Sequence, residues 1–332
     1  MHKTILVITD NIRNQINGVV TTFANMEKWA ELDGYTIQYL DPSEFPHCDC
    51  PRYPEVKLSL PINIGKKIRQ YNPDHIHIAT EGPLGLAARI YCDLTGKIYN
   101  TSYHTKFPEF VKTIYGIPMW ITYAYLRWFH KHSGVVLTTT QTMVNNLKQN
   151  GFANNVIAWT RGVDRDIFNS ALRKAHQPTD KILLNVGRVS KEKGLDDFCS
   201  LQYPHSIKVV VGDGPYREEL QQKYPDVQFV GAKRGVELAE YFANADVFVF
   251  PSVTDTFGIV IIEALTCGTP VAAYNVDGPK DIIEQGINGY MDQTLSDAVT
   301  QCLLLSRSDV ESSSSRWTWE SCWKIFKDNL VP

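Results

Sequence analysis

The sequence predicts an α/β protein built from two doubly wound parallel sheets. Short apolar runs alternate with helical patterns along the chain, which is the order of βαβ units in parallel sheets. A polar segment with one proline, SALRKAHQPTDK, interrupts this alternation near the middle, and the alternation then starts again. The chain has 332 residues, 43% of them hydrophobic, and chains of this size usually divide into two domains.

The first half contains six strand-like runs: TILVIT, TIQYLD, HIHIA, IYNTSYH, GVVLTTT and VIAWTRG. Helical patterns lie between most of them, for example GVVTTFANMEKWAEL and QTMVNNLKQNG. A proline-rich loop is expected between the second and third runs. We therefore predict an N-terminal Rossmann-like domain over residues 1–170, with the polar segment as the linker that follows it.

The second half contains five strand-like runs: KILLNVG, IKVVVGDG, VQFVG, DVFVFPS and TPVAAYN. These predict a second Rossmann-like domain over residues 171–315, which ends in a loop at the serine run 312–315. TWESCWKIFKDNL then predicts an amphipathic helix within residues 316–332 that packs back on the N-terminal domain. Two facing domains of this kind create an interdomain cleft, and the carboxyl ends of the strands are the usual ligand positions.

The charge distribution excludes a nucleic-acid-binding protein. Residues 1–172 contain 17 Lys and Arg against 14 Asp and Glu, and the remainder contains 16 against 22. A mildly basic N-terminal half suits an anionic partner or surface, but it is far less basic than a nucleic-acid-binding surface.

The sequence favours a cytoplasmic protein. The opening MHKTILVIT predicts a strand, because it has no long apolar core and no cleavage site of a signal peptide. Seven scattered cysteines suit a reducing compartment, and no apolar run is long enough to span a membrane. Cys48-x-Cys50 and His75-x-His77 resemble metal ligand pairs, but a closed zinc site needs four placed ligands, so we expect no metal there.

The glycine pattern does not predict a dinucleotide site. The loop after the first strand, DNIRNQINGVV, has only Gly18, whereas a Rossmann fingerprint needs three spaced glycines. GDGPYR has Arg217 where the third glycine would fall, and no P-loop pattern occurs. Nicotinamide chemistry is therefore not indicated.

A different phosphate site is predicted in LLNVGRVSKEKG. This segment places Arg188 and Lys193 directly after a strand, together with two glycines. Two cations in such a loop suit a diphosphate, because charge-assisted hydrogen bonds are stronger than neutral ones. The alternative is that both cations are solvated surface charges in a turn.

A second anion site is predicted in TDTFGIVIIEALTCGTPV, where a short helix follows a loop. The backbone N–H groups of Thr256, Phe257 and Gly258 would point out of the helix N-terminus, which favours negative charge. Glu263 lies within the apolar part of this helix, where an ionised carboxylate without a partner is costly. A ligand that donates hydrogen bonds to the carboxylate would explain its presence. Asp255 lies eight residues earlier. The alternatives are that Asp255 only caps the helix and that Glu263 bonds the backbone.

These motifs together resemble glycosyltransferase family 4, retaining enzymes of the GT-B fold. The resemblance is carried by GRVSKEKG, PSVTDTFGIVIIEALTCGTPVAAY, NGVVTT, TSYHTKFPEF and RGVDRDIF. HIATEGPLG and SYHTKFPEF are most similar to bacterial members that glycosylate lipids with mannosyl, glucosyl or sulfoquinovosyl groups. The resemblance covers nearly the whole chain and implies an N-terminal acceptor domain and a C-terminal nucleotide-sugar donor domain.

The resemblance implies a role for each candidate residue. Gly18 approaches the donor phosphates or the acceptor, and His104 contacts the donor sugar near the reacting carbon. Arg188 and Lys193 neutralise the diphosphate leaving group. Asp255, with the backbone of residues 256–258, holds the sugar and the β-phosphate, and Glu263 binds the ribose. Asp255 stands where the family usually has Glu, so the resemblance does not transfer a donor sugar.

The expected reaction is the transfer of a hexose, of mannose or glucose type, from a nucleotide-sugar such as GDP-mannose or UDP-glucose. The acceptor is a hydroxyl group, expected on a membrane lipid or a lipid-linked glycan, and the resemblance implies retention of configuration. We expect no metal cofactor, because no Asp-x-Asp motif for a metal that bridges the diphosphate is predicted in the chain. The base is expected near Gly231 to Val236.

Two other functions fit the same architecture. A nucleotide-sugar 2-epimerase would convert a donor without any acceptor, and a catalytically inactive protein would only bind the sugar nucleotide. Separately, YGIPMWITYAYLRWFHKH and IGKKIRQY in the basic first half predict either packed helices or contact with an anionic membrane surface. In the second case the protein is peripheral on the cytoplasmic membrane face.

Overall fold

The computed structural model describes residues 2–13, 18–50, 53–175 and 179–332. The chain divides into two compact units: unit 1 comprises Met1–Arg161 with Trp319–Pro332, and unit 2 comprises Gly162–Thr318. Each unit contains a six-stranded parallel sheet with helices packed on it.

The strands are numbered in chain order: β1 Lys3–Ile8, β2 Tyr35–Leu40, β3 His47–Cys50, β4 Tyr53–Ser59, β5 His75–Ile78, β6 Asn100–Tyr103, β7 Val136–Thr138, β8 Val156–Ala158, β9 Lys181–Val186, β10 Ser206–Val211, β11 Gln228–Phe229, β12 Val247–Phe250, β13 Val271–Tyr274 and β14 Gly289–Asp292. The α-helices are α1 Gly18–Leu32, α2 Ile64–Tyr71, α3 Pro83–Thr95, α4 Phe107–Tyr115, α5 Met119–His130, α6 Gln141–Gln149, α7 Leu195–Cys199, α8 Arg217–Lys223, α9 Gly235–Asn244, α10 Ile259–Thr266, α11 Leu295–Cys302, α12 Arg307–Ser313 and α13 Trp319–Asp328.

Unit 1 is a doubly wound sheet in the order β2-β1-β5-β6-β7-β8. Its strands are short, and most of their residues are buried, as expected when helices cover both sides of a parallel sheet. One face packs against α1, and the other packs against α2, α3 and α5. His75 and His77 both lie on β5, and His77 is fully buried between aromatic rings rather than placed for a metal.

The last helix of the chain, α13, belongs to unit 1. Its apolar face, with Trp323 and Phe326, joins the cluster formed by α1 and the β1 side of the sheet. The Trp323 indole and the Lys327 ammonium both donate to Asp33 just after α1, at 2.6 and 2.8 Å. These two hydrogen bonds lower the pKa of Asp33 below its ordinary value. α13 therefore packs beside α1 and contributes to the core of unit 1.

The region predicted as a proline-rich loop contains a β-hairpin. β3 and β4 pair in antiparallel fashion, with a register irregularity at Asp49 and Cys50. CDC therefore lies on a strand, with Cys48 exposed and the buried Cys50 sulfur 3.1 Å from the Tyr115 hydroxyl. The pattern gave no strand signal because His47, Cys48 and Asp49 are all exposed, so no alternation marks the pairing.

Unit 2 repeats the architecture with the order β11-β10-β9-β12-β13-β14. Helices cover both faces of this sheet. On β9, β10 and β12, α9 and α10 pack against one face, and α7, α8 and α11 pack against the other. The sixth strand, β14, was not predicted. It has a single glycine at its start, where a Cβ atom would lie 2.3 Å from the Val271 carbonyl oxygen of β13.

The unit boundary differs from the predicted linker. The polar segment at 170–181 lies within unit 2 rather than between the domains predicted at 1–170 and 171–315, and its residues 176–178 lie outside the described part of the chain. Phe168 belongs to the unit 2 core, and the Arg173 guanidinium donates to the carbonyl oxygens of Ala243 and Ala245 at 3.1 and 3.2 Å. These contacts fix the segment to unit 2. The serine run at 312–315, predicted as a loop, ends α12 and continues as a 3-10 turn.

In the part of the chain that the structure describes, none of the helices combines the length and the apolar character that a membrane crossing requires.

Candidate active site

The candidate site of unit 2 lies at the carboxyl ends of two neighbouring strands, β9 and β12. β9 pairs with β10 on one side and with β12 on the other, so the chain changes direction across the sheet at this point. In open α/β sheets ligands bind outside the strand ends at such a switch point. The segment that follows β9 carries Arg188 and Lys193, and the segment that follows β12 carries Asp255 and Gly258.

Two side-chain hydrogen bonds connect these two segments. The Lys193 ammonium donates to Asp255 Oδ1 at 2.6 Å, and the Thr254 hydroxyl donates to the Glu192 carbonyl oxygen at 3.3 Å. Gly194 has φ +67°, and a Cβ atom there would lie 2.8 Å from the Pro251 carbonyl oxygen. The structure thus brings together the two loops that the sequence predicted as separate anion sites, and Gly194 permits their close approach.

Arg188 forms an ion pair with Glu192 one turn further along. The same carboxylate accepts from the Ser190 hydroxyl at 2.7 Å. Burial raises the pKa of Glu192, but the Ser190 hydroxyl, the backbone and the charges of Arg188 and Lys193 together lower it more, so its pKa lies below the ordinary value. Glu192 is therefore an anion that holds the loop cations in place, and an incoming diphosphate would compete with it for Arg188.

The start of α10 is held in place by core packing. Gly258 has φ +92°, and its Cβ position is filled by Phe250 and Ile261 at 3.1–3.3 Å. The requirement for glycine is therefore a left-handed backbone packed on the core, and not only the approach of a ligand. Phe257 is buried edge-on against the Trp317 ring, with centroids 5.4 Å apart, and anchors the loop. Because the first N–H groups of a helix have no intrahelical acceptor, this end of α10 presents donors.

Glu263 lies one turn further along the same helix. Within residues 2–13, 18–50, 53–175 and 179–332, the carboxylate of Glu263 makes no hydrogen bond and no ion pair. Its side chain retains some solvent exposure, while its helix neighbours are buried. Burial raises the pKa of Glu263 to about 7. The expected alternative, a Glu263 that bonds the protein backbone, does not occur among these residues, so the acid is left for a ligand or for solvent.

The glycines of VGDGP have a packing role. Gly212 and Gly214 follow β10, and Cβ atoms there would lie 1.8 Å from the Gly187 carbonyl oxygen and 2.4 Å from the Val189 carbonyl oxygen. They allow the β9 and β10 loops to touch. The Gly212 N–H donates to the Gly231 carbonyl oxygen at 2.9 Å, which fixes the start of the segment 231–236 where the base was expected.

His104 lies just after β6 in unit 1, half-buried, and both of its ring nitrogens contact polar groups. Arg161 donates to Nδ1 at 2.9 Å, and Nε2 lies 2.8 Å from the Ser102 hydroxyl. Burial, and then the charge of Arg161, hold the pKa of His104 well below its ordinary value, and His77 contributes to the same effect. His104 is therefore a neutral imidazole over the physiological range.

Two family models together match most of the chain. The model for Glycosyltransferase Family 4 matches residues 19–167, and the model for Glycosyl transferases group 1 matches residues 168–303. The first covers unit 1 from α1 to β8, and the second covers the Arg188 loop, α10 and Glu263. The chain belongs to these glycosyltransferase families.

Individual relatives agree with this glycosyltransferase assignment. A GDP-mannose-dependent alpha-mannosyltransferase from Mycobacterium tuberculosis is 28% identical over 98% of this chain and 95% of its own length. A sulfoquinovosyl transferase from Arabidopsis thaliana is 30% identical over 82% of this chain, which spans 56% of that protein. Among solved structures, sucrose-phosphate synthase from Thermosynechococcus elongatus superposes with a TM-score of 0.79 over 98% of both chains, at 17% identity. The predicted GT-B fold is thereby confirmed.

Gly18 of this glycosyltransferase is the first residue of α1 and is exposed. Its carbonyl oxygen accepts from the Thr22 hydroxyl at 2.6 Å within the first turn. The residues before it, 14–17, lie outside the described residues, so the loop predicted to approach the donor is seen only from Gly18 onward.

The glycosyltransferase also contains one Asp-x-Asp triplet, Asp164 to Asp166, outside the loops considered above. Asp164 Oδ1 accepts from the Asp166 N–H at 3.0 Å, and the Asp164 carbonyl oxygen accepts from Phe168 N–H at 2.8 Å, so the triplet forms a turn. Among the residues with described positions, no group of three or more His, Cys, Asp or Glu side chains is placed to hold a metal ion.

Two residues of the glycosyltransferase site were missed from the sequence. Glu192 was not among the predicted site residues, although its spacing of four from Arg188 is the signal that predicts an ion pair. Arg161 directly follows the last strand of unit 1, but its contact with His104, 57 positions away in the sequence, depends on the order of β6, β7 and β8 in the sheet.

Proposed function

We propose that this glycosyltransferase transfers a hexose from a nucleoside diphosphate sugar to a hydroxyl group, with retention of configuration and without a metal ion. Unit 2 would bind the donor through the Arg188 and Lys193 loop and the start of α10. The unit 1 candidates Gly18 and His104 would act in the same reaction, as the resemblance implies.

The observation that carries this proposal is the state of Glu263. A carboxylate without a hydrogen-bond partner in apolar surroundings is costly, and the cost is visible as its raised pKa of about 7. The acid follows, by one helical turn, a helix end that favours anions. A ribose diol beside a helix-bound diphosphate would donate to the carboxylate and remove this cost.

The proposed chemistry uses the charges of the loops. The bond between the anomeric carbon and the diphosphate oxygen breaks as the acceptor oxygen forms a bond to that carbon on the same face. The diphosphate leaves with the bonding electron pair, and one of its phosphate oxygens takes the acceptor proton. Arg188, Lys193 and the start of α10 stabilise the negative charge that develops on the leaving group. To do so, Lys193 and Arg188 would release part of their contact with Asp255 and Glu192.

Asp255 is proposed to hold the transferred sugar. In this structure it is bonded to Lys193, so the two side chains form a polar pair at the point where sugar and phosphate would meet. Hydroxyl groups of a hexose can donate to the carboxylate oxygens while Lys193 moves to the phosphate. The side chain is one carbon shorter than the Glu usual in the family.

For the donor we propose GDP-mannose or UDP-glucose. GDP-mannose-dependent mannosyltransferases from three actinobacteria are 27–29% identical to this chain, and an alpha-monoglucosyldiacylglycerol synthase from Streptococcus pneumoniae is 24% identical over 95% of it. These names support a mannose or glucose donor and an acceptor that is a membrane lipid or lipid-linked glycan.

A lipid acceptor requires access to a membrane, and the helices α3 and α5 offer a surface for it. Arg89 of α3 donates to the carbonyl oxygens of Trp128 and Phe129 of α5, so the two helices are neighbours. Their outer side, which we term the α3–α5 face, exposes large apolar side chains: Ile90, Leu94, Trp120, Ile121 and Trp128.

Cations border the α3–α5 face. Lys97, Arg127 and Lys131 are all exposed beside it. Exposed Trp and aliphatic side chains flanked by cations suit the interface of an anionic bilayer. We therefore propose that the enzyme binds peripherally to an anionic membrane through this face, at the cytoplasmic side.

A donor panel tests the proposed reaction. The full chain is incubated with GDP-mannose, UDP-glucose and other nucleotide-sugars in EDTA, with and without a lipid extract, and the products are identified by NMR. Release of sugar and nucleoside diphosphate, and a new glycoside with the donor's anomeric configuration, is the expected result. A donor converted to its 2-epimer, a product of inverted configuration, or binding without turnover would overturn the proposal.

The variant Glu263→Gln tests whether the Glu263 carboxylate binds the nucleotide. It keeps the size of the side chain and removes the charge, and we expect it to weaken binding of the nucleoside diphosphate. Lys324→Ala, which removes an exposed cation paired with Asp328 on α13, serves as the matched control and is expected to bind as the unaltered enzyme does.

A further inference from the structure

Arg161 is an unusual cation because it is buried without a carboxylate partner. The residue is 3% exposed. In the described ranges of the chain no carboxylate forms an ion pair with it, and burial lowers its pKa to about 10, so it stays charged at neutral pH. A buried charge normally pairs with an opposite charge. The fold therefore retains this guanidinium at a cost that its local contacts must offset.

The contacts of Arg161 fix its guanidinium in one place. One terminal nitrogen donates to the carbonyl oxygens of Trp159 and Thr160 at 2.7 and 2.9 Å. The carbon centre of the guanidinium lies 4.5 Å from the centre of the Trp159 ring, a cation–π distance. The Trp159 indole in turn donates to the Cys322 carbonyl oxygen at 3.0 Å. With its other terminal nitrogen Arg161 reaches His104 Nδ1.

This arrangement determines the tautomer of His104. A guanidinium has only donors, so Nδ1 must accept and its lone pair is occupied. A neutral imidazole then carries its proton on Nε2, which faces the Ser102 hydroxyl. The same hydroxyl lies 3.0 Å from His77 Nε2. The hydrogen-bond chain therefore runs from Arg161 through His104 and Ser102 to His77.

We propose that Arg161 is a positioning residue for the transfer reaction: it holds the His104 ring in one orientation as the neutral Nε2–H tautomer, so His104 does not accept the acceptor's proton. The inference rests on the proposed function, because it assigns how one residue of that site works. Nδ1 has no lone pair left for an incoming hydroxyl group, and a second proton there would face the N–H groups of Arg161. The acceptor proton must then leave on the departing phosphate.

Two titratable groups of the described residues lower the pKa of His104. They are Arg161, on the segment after β8, and His77 on β5. Burial lowers the pKa of His77 to about 3, so it is neutral. Cys322 of α13, near Arg161, is also neutral because burial raises the pKa of its thiol to about 12. Arg161 is thus the cation that opposes protonation of His104.

The direct test is NMR of the ring nitrogens in enzyme labelled with ¹⁵N-histidine, with His104 assigned by comparison with His104→Gln. We expect one pyridine-type signal for Nδ1 and one protonated signal for Nε2, neither of which titrates between pH 5 and pH 8. A protonated Nδ1, or titration of His104 in this range, would overturn the inference. The readout needs no substrate, so it holds or fails independently of the proposed reaction.

The variant Arg161→Met removes the donor while keeping the side chain long and apolar. We expect His104 to lose its fixed tautomer and to titrate at a higher pH than in the unaltered enzyme, and kcat to fall by about tenfold to a hundredfold. Arg161→Lys, which keeps a single cationic donor group, should retain part of the fixed His104 tautomer and part of the kcat. Unchanged histidine signals in Arg161→Met would contradict the inference even if activity falls.

Arg89→Met is the matched control. Arg89 is also 3% exposed, donates to two backbone carbonyl oxygens and stacks at 3.8 Å on Trp128; unlike Arg161 it pairs with a carboxylate, Asp93, at 3.3 Å, and it has no contact with a histidine among the described residues. Its loss should affect stability in a similar way and leave the His104 signals unchanged. If Arg161→Met does not fold, the spectrum of the unaltered enzyme still decides the tautomer. Transfer activity with a wrong tautomer would refute the positioning role and leave the proposed function intact.

Discussion

The Lys193 ammonium lies 2.6 Å from Asp255 Oδ1, across 62 positions of sequence. Both side chains are partly buried, at 28% and 22% exposure. Each therefore satisfies the other where an anion and a sugar are proposed to bind. The pair connects the loops that follow β9 and β12. A bound ligand could replace this contact, because its phosphate oxygens could pair with Lys193 and its hydroxyl groups could donate to Asp255.

Lys193→Ala is expected to slow the reaction far more than it destabilises the fold. A single electrostatic contact to a developing charge is worth about 10²- to 10³-fold in rate, whereas a half-exposed ion pair contributes about 0–1 kcal/mol to stability. The measurements are kcat with the best donor and the midpoint of thermal unfolding. Lys324→Ala is the control. A large loss of stability with unchanged kcat would show that Lys193 is structural.

The ionisation of Glu263 is expected to couple nucleotide binding to pH. Its pKa of about 7 in the fold, against an ordinary value of 4.5, means that stability from this group is present below about pH 4.5 and is lost as pH rises through about 7. Hydroxyl groups that donate to the carboxylate favour its charged form. Nucleoside diphosphate binding should therefore release protons between about pH 5 and 7 and become tighter as pH rises.

Isothermal titration calorimetry in buffers of different ionisation enthalpy measures that proton release. The phosphate groups of the ligand also titrate, and Glu263→Gln subtracts their contribution because it keeps the phosphate site. The variant should release fewer protons and bind about tenfold to a hundredfold more weakly, the value of hydrogen bonds to a charged acceptor. Equal proton counts for the two proteins would exclude Glu263 as the titrating group.

Activity is expected to survive removal of divalent cations. Arg188, Lys193 and the α10 end supply positive charge where a metal-dependent enzyme would use a metal ion. The measurement is the rate of donor turnover after dialysis against EDTA, compared with the rate after addition of Mn²⁺ or Mg²⁺. Complete loss in EDTA with recovery on adding Mn²⁺ would contradict the proposed metal-free reaction and direct attention to Asp164 and Asp166.

The α3–α5 face is expected to bind anionic vesicles. The double variant Trp120→Ala with Ile121→Ala removes two exposed apolar side chains, at 71% and 43% exposure. Burial of one large apolar side chain is worth about 1.5–3 kcal/mol, so partition into vesicles should fall at least about tenfold. Flotation with phosphatidylglycerol vesicles measures this.

The control for the membrane prediction lies in unit 2. Leu304 is also highly exposed, at 78%, but it is outside the α3–α5 face. Leu304→Ala should float as the unaltered protein does. Raising the salt concentration should weaken vesicle binding of Leu304→Ala and of the unaltered protein alike, because salt screens the cations that border the α3–α5 face. Flotation that is equal on neutral and anionic vesicles, or unaffected by the double variant, would refute the proposed surface.

Much of the fold follows from local pattern. The helix predicted over GVVTTFANMEKWAEL is α1 with the same bounds, because its apolar residues repeat with helical period and face one sheet. The hairpin of β3 and β4 could not be predicted in this way, since its first strand is exposed on both faces. β14 is four residues long, and its position depends on pairing with β13, which is a contact between distant parts of the chain.

The same distinction holds for the candidate site. Arg188, Lys193, Asp255 and Glu263 could be selected because residue type and position after a strand indicate phosphate and hydroxyl chemistry. The contact of Lys193 with Asp255, and that of Arg161 with His104, follow from the order of strands in each sheet, which no local pattern contains. Glycines were the least predictable, because Gly212 and Gly214 serve backbone packing between loops.

Because α13 returns to unit 1, unit 1 is built from two separate segments of the chain, whereas unit 2 is built from one. Unit 2, residues 162–318, is one uninterrupted stretch of the chain. The other half is discontinuous: Phe326 and Trp323 must reach Phe23 and Trp159 before its interior is complete. Residues 162–318 are therefore synthesised between the two segments that unit 1 brings together, and the interior of unit 1 is complete only after α13 has been made.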